Sequence, residues 1–415
     1  MNDTLLNIKI GKWVVSYLII TYIIYLLIPS NATFTKSTYE LYTIVFLLCV
    51  CVSFYYGCKR VSIEKKLFSV DPSQFVLGET KIAMLVSFYT IVTILYLNDM
   101  VQSGFAQLSL SMGDNYANMI ESEIKINSFW GQIYTLLSPL RVFLVTYCIV
   151  HFKKLSIPNI CLLILLLLSY LMITVSKGQF VGIGNVAVFL AVPLFFMNWQ
   201  EHRINRFKRQ IVIIGITFIT LFIVNQFARA ESLESDIIDM YSADNIICQV
   251  LGTKIGTGVL RFLAYFSHGY RGLNYSLQLP FEWTFGYGGS IALSGYMQQY
   301  FGMPTFFEDT YPMRVLSTFG YDCQLNWPTA FAWWASDFSF PGVVIVMFFL
   351  GKLFCMVFRD ACYHLDIIAI SLLSELVIMV FFLPMNNQAF QTRESFLITF
   401  FLFIVWLFRR RSFSF

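Results

Sequence analysis

Charge is what this sequence has least of. Only 13% of its 415 residues are Asp, Glu, Lys or Arg, where a soluble globular domain carries about 25%. With 57% of the chain hydrophobic, a soluble domain is excluded. The long apolar runs show no period-two alternation broken by turns, which excludes an outer-membrane barrel and leaves membrane-spanning helices. Metal-binding patterns are missing too: there is no D-x-D, no H-E-x-x-H and no C-x-x-C, so neither a metal nor any other cofactor is expected. P-loop and G-x-S-x-G motifs are absent, as are internal repeats and Pro- or Ser-rich linkers. The net charge of +4 is accounted for by basic residues at loop edges, so no nucleic-acid partner is expected.

What remains reads as an all-α polytopic integral membrane protein of about ten transmembrane helices. Lys9 and Lys12 precede a first apolar run to Ile28. No A-x-A-like site follows it, so it reads as a retained span. Further spans are expected near 41–57, 81–97, 133–151, 157–176, 181–199, 210–228, 340–358, 365–384 and 392–408. Alternating their sides gathers most Lys and Arg on one face, including Lys65, Lys66 and Arg409 to Arg411. The short loops of the other face hold only Lys36, Lys125, Lys177 and Arg393. By the positive-inside rule both termini are cytoplasmic.

The expected organisation is residues 1–228 as seven spans with a smaller outer loop near 98–130, then a large outer loop at 229–338, then residues 339–415 as three spans and a basic cytoplasmic tail. The large loop is expected to pack on the bundle with short interfacial helices. Its stretch 246–266 is apolar enough for a span, but Lys254, Arg261 and three glycines favour a helix lying at the interface. Nine cysteines mostly read as small apolar fillers. Cys248 and Cys323 share the large loop, and whether they pair is left open. Inside the spans, Arg141, Lys352 and Glu375 are costly, and the first and last read as structural.

Chemistry concentrates in one stretch of the large loop, RFLAYFSHGYRGLNYSLQLPFEWTFGYGGS, residues 261–290. His268 suits a general base, because imidazole titrates near neutrality, and it equally suits a structural hydrogen bond. Glu282 beside Trp283 is a second candidate base or a salt-bridge partner. Arg229, Arg261, Arg271 and Arg314 can clamp a diphosphate through bidentate hydrogen bonds, or anchor the loop at the interface. Lys177 and Arg393 extend a cationic rim on the same face. Tyr270, Trp283 and Tyr287 are candidate sugar-stacking rings, although aromatics also gather at membrane interfaces. Gly286, Gly288 and Gly289 read as a tight turn and not as a phosphate cradle.

The segment HGYRGLNYSLQLPFEWTFGYGGS resembles the Wzy-type O-antigen polymerases, the repeat-unit polymerases of the bacterial inner membrane. The later ASDFSFPG, residues 335–342, is similar to an Asp-Phe-Gly turn of that family, with Ser339 where glycine is usual. The resemblance implies a GT-C-like fold and a metal-independent glycosyltransferase. In the periplasm it would move the growing glycan from undecaprenyl diphosphate onto the terminal sugar of a new lipid-linked repeat unit, as in lipopolysaccharide O-antigen synthesis. It also implies His268 as base, the arginines on the diphosphate or acceptor, and a chain-length regulator as partner beside the lipid bilayer. An O-antigen ligase or a repeat-unit flippase is the alternative.

Overall fold

The computed structural model describes residues 3–28, 39–61, 77–103, 128–177, 181–232, 246–321, 323 and 326–412. Most of the expected outer loop near 98–130, and the basic Lys65 and Lys66 connection, lie outside the described residues. Among the described residues the regular structure is entirely helical. The helices of the first half are α1 (Asp3–Leu27), α2 (Glu40–Lys59), α3 (Glu79–Gln102), α4 (Phe129–Leu136), α5 (Ser138–Val150), α6 (Ile157–Ser176), α7 (Val181–Gln200) and α8 (Ile204–Ser232). The second half adds α9 (Ile246–Leu251), α10 (Thr253–Tyr265), α11 (Gly269–Ser276), α12 (Ile291–Phe301), α13 (Tyr311–Phe319), α14 (Ala330–His364), α15 (Ile367–Phe382), α16 (Gln388–Gln391) and α17 (Arg393–Ser412).

Every expected span falls on a helix or on the bent pair α4–α5. Six helices are long and apolar enough to cross a membrane, and seven spans result if the pair, bent by 50°, counts as one. The protein is therefore a multi-pass membrane protein. The other expected spans fall on α8 and α17, which carry basic ends, and on α15, which has 16 residues. The stretch 246–266 is not one continuous span. Gly252, at φ +79°, breaks it into α9 and α10, each shorter than the roughly 20 residues a crossing needs.

The chain divides into two units, both discontinuous in sequence. The first comprises Met1–Lys66, Asp239–Arg359 and Glu375–Phe396, and the second Leu67–Ile238, Asp360–Ser374 and Leu397–Phe415. Within the first unit, small residues let backbones meet, as they do where helices cannot rely on water to drive them together. A Cβ on Gly57 would lie 2.1 Å from the Phe348 carbonyl oxygen, and one on Gly351 would lie 2.3 Å from that of Phe54. That close crossing of α2 and α14 is stitched by the Ser53 hydroxyl donating to the Val344 carbonyl at 2.5 Å and by the Cys58 thiol to Gly351 at 3.4 Å.

In the second unit, Arg141 of α5 is 3% exposed. Its guanidinium donates to the Tyr134 hydroxyl at 2.7 Å and lies 3.9 Å from the Tyr170 ring centroid. The aromatic faces supply part of the electrostatic stabilisation that water would otherwise give the cation. Elsewhere in this unit Arg409 donates to Asp366 at 2.9 Å and the Trp406 indole donates to Asp360 at 2.9 Å.

The Gly351 contact makes a direct test of this packing. Gly351→Ala forces α2 and α14 apart and should cost about 1–3 kcal/mol, the usual size of an overpacking defect, seen as a lower melting temperature in detergent. Gly215→Ala in α8, where the added carbon meets nothing within 4 Å, should leave the melting temperature unchanged or raised.

Candidate functional site

The first unit contains the motif-rich stretch, and its geometry begins with two glycines. A Cβ on Gly269 would fall 2.2 Å from the Pro384 carbonyl oxygen, and one on Gly272 would fall 2.7 Å from the Pro328 ring. The HGYRG motif therefore uses glycine so that α11 can lie directly against two backbone segments. Between the glycines, Tyr270 is 0% exposed. Its hydroxyl lies 2.9 Å from that of Thr21 and donates to the Leu18 carbonyl at 3.2 Å, tying the loop to α1. So buried, it offers no surface to a sugar and acts instead as a packing anchor.

His268 sits at the mouth of α11, partly buried. Its Nδ1 lies 2.7 Å from the Ala264 carbonyl oxygen. A carbonyl only accepts, so Nδ1 carries the proton, and in the neutral ring Nε2 is left with the lone pair. Burial, together with the neighbouring charge of Arg271, holds the imidazole below its ordinary pKa of 6.5 despite the opposing hydrogen bond that it donates to the Ala264 carbonyl. Arg271 also hydrogen-bonds the Tyr25 hydroxyl. A neutral imidazole and a guanidinium are thus neighbours on one short helix.

The FEWTFGYGG segment is shaped from α14. Asp337, 8% exposed, accepts from the Thr284 hydroxyl at 2.5 Å, from the Gly288 N–H at 3.1 Å and from the Gly289 N–H at 3.0 Å. Successive N–H groups of this kind form an anion-binding nest. Here the chain's own carboxylate occupies it, which is the physical reason the glycines are no phosphate cradle. Gly289 also fits where a Cβ would be 2.3 Å from the Trp333 carbonyl, and its own carbonyl accepts from Asn387 at 2.9 Å. Asn387 in turn accepts from the Trp334 indole at 2.9 Å.

The turn leaves Trp283 and Phe285 56% and 54% exposed, their centroids 4.7 Å apart. Tyr287, 5% exposed, donates to the Pro304 carbonyl at 2.9 Å and so supports the turn from within. Glu282 is not desolvated by Trp283. Its carboxylate stands in the open and pairs with Arg314 at 2.7 Å, and Arg314 also donates to the Pro280 carbonyl at 2.9 Å. The ion-pair reading of Glu282 is therefore the one the geometry carries.

His268, Arg271, Tyr270, Glu282, Trp283, Tyr287 and Arg314 all lie in the first unit. The side chains of Arg229 and Arg261 lie outside the described residues. Lys177 belongs to the second unit, its ammonium 5.3 Å from the Tyr96 ring centroid. Arg393 lies over Tyr296 at 5.2 Å. Cys248 and Cys323 are both buried. Among the described residues no group of His, Cys, Asp and Glu is arranged to hold a metal ion. No protein-family model, curated protein or solved structure matches the chain.

Asp337 and Ser339 were visible in the ASDFSFPG motif, yet spacing alone assigned them no role. Ser339 adopts φ 61° and ψ 164°, breaking α14 just after Asp337, and Pro341 opens the helix that follows. Glycine is the residue that occupies such a backbone conformation at ease, and other residues pay about 1–3 kcal/mol. The turn expected of an Asp-Phe-Gly sequence is therefore made here by a strained serine. Ser339→Gly should raise the melting temperature by relieving about 1 kcal/mol or more. Asp337→Asn should lower it, because an amide turns one acceptor into a donor facing N–H groups, at about 1–3 kcal/mol. Both are read by thermal unfolding of the purified protein.

Proposed function

We propose that this chain is a metal-independent membrane glycosyltransferase of the Wzy type, an O-antigen polymerase of the bacterial inner membrane. In this reading the acceptor sugar hydroxyl attacks the anomeric carbon of the undecaprenyl-diphosphate-linked glycan. The carbon–oxygen bond to the diphosphate breaks as the new glycosidic bond forms. The hydroxyl proton passes to Nε2 of His268, and the diphosphate leaves with its charge stabilised by guanidinium groups.

One observation carries the proposal: the HGYRG segment sets a half-buried imidazole, its Nδ1 fixed on a carbonyl, beside Arg271. A pKa depressed chiefly by burial keeps the base unprotonated at neutral pH, and the Arg271 charge beside it suits a leaving diphosphate. Glu282 is the weaker candidate base because Arg314 already holds its carboxylate. Tyr270 and Tyr287 serve the reaction by holding the loop in place, which leaves Trp283 as the sugar-facing ring of the three.

The test is deletion of the gene in a host making smooth lipopolysaccharide, complemented with wild type, His268→Ala or Arg271→Ala. Core bearing one repeat unit in the deletion, with no ladder restored by either variant at normal protein level, is the expected outcome. Bare core would assign a ligase or flippase instead, and full rescue by both variants would remove the site assignment. Elongation measured against pH should hold up below pH 6.5, the ordinary imidazole value, because a lowered pKa delays protonation of the base. An acid limb centred above that value would count against His268.

A further inference from the structure

The exposed rings of the FEWTF segment have a border that the reaction above does not use. Trp283, Phe285 and Phe306 form a ladder with successive centroids 4.7 Å apart and interplanar angles of 30° and 33°. Phe285 is held at φ 59°, a genuine outlier for a bulky residue. The strain keeps an apolar ring half in the open, where burial returns little of the cost. The segment 280–314, which carries the ladder, contributes Glu282, Glu308 and Asp309, all exposed, and one cation of its own, Arg314, which Glu282 pairs.

We infer that this ladder binds an oligosaccharide of uncharged or amino-bearing sugars and discriminates against acidic ones. The apolar face of a pyranose suits an aromatic face, and the carboxylates offer acceptors to its hydroxyl or ammonium groups. The same carboxylates repel a uronate, a phosphate or an anionic lipid surface. Immersion of the ladder in a bilayer would desolvate the exposed carboxylate of the Glu282–Arg314 pair, which is costly. The inference rests on reading the chain as a glycan-handling enzyme and adds the class of sugar that the loop accepts.

The experiment uses the full-length protein in phosphatidylcholine nanodiscs, with saturation-transfer NMR on three probes: chitotetraose, the fully deacetylated chitosan tetramer, and tetragalacturonate. Binding of the first two should exceed that of the acidic probe by at least about tenfold. Trp283→Ala should weaken it about tenfold, and so should Phe285→Gly, a change that suits the positive φ and so keeps the turn. The double variant Glu308→Gln with Asp309→Asn should narrow the gap between acidic and uncharged probes, a readout that a purely structural role would not move.

Equal binding of tetragalacturonate, or no binding of any probe, overturns the inference. So does a fluorotryptophan signal from Trp283 that is broadened by nitroxide-labelled lipid and not by an aqueous gadolinium chelate, since that would place the ring in the membrane. The complementation assay separates the two ideas. A restored ladder without probe binding removes the sugar selectivity and leaves the polymerase, whereas probe binding with bare core in the deletion removes the polymerase and leaves a sugar site.

Discussion

The carboxylate of Asp337 is the group on which the candidate site depends most. It reaches from the short first part of α14 to gather the Thr284 hydroxyl and the Gly288 and Gly289 N–H groups. A buried carboxylate needs such donors because its charge is otherwise unsupported away from water. In meeting that need it fixes the path of residues 284–289, and with it the positions of Trp283 and Phe285. The Asn387 side chain extends the constraint by joining Gly289 to Trp334, so that two segments far apart in sequence are held against α14.

Strain is concentrated around this carboxylate. Phe285, Gly286 and Ser339 all have positive φ, and they flank the two strands of chain that Asp337 brings together. Only a surrounding network that over-determines the backbone sustains such conformations in non-glycine residues. The polar network is therefore a shaping device, and the groups with chemical freedom are placed at its margin. His268 retains a lone pair on Nε2, and the rings of Trp283 and Phe285 stay open. The neighbouring α11 is fixed by a different means, through the buried Tyr270 and two glycines in backbone contact.

A charged residue inside a membrane protein has two roles available, and both occur here. Arg141 is enclosed by tyrosines that hold its guanidinium through a hydrogen bond and ring faces. It fixes helices and is not available for a ligand. Arg314 is different: its own side chain is mostly covered, but its partner Glu282 is open to solvent, so water screens the pair from one side. Sequence position separates the two only in part: it places Arg141 inside a span and Arg314 in the large loop, but it names neither the tyrosines nor the carboxylate that hold them.

The sequence by itself determined the membrane class, the helical content and the location of the long apolar helices, because a bilayer demands long apolar runs whose backbone bonds are satisfied internally. It also singled out residues 261–290 by their contrast with an uncharged background. The discontinuous units, the pairing of Glu282 with Arg314, the burial of Tyr270 and Tyr287 and the role of Asp337 belong to the tertiary structure. Each arises from contacts between segments far apart in the chain, and local periodicity carries no information about which distant backbone will approach a glycine or which carboxylate will fill a nest of N–H groups. The motif spelled Asp-Phe-Ser; only the fold decided that its serine would take a glycine's backbone and that its aspartate would shape the turn.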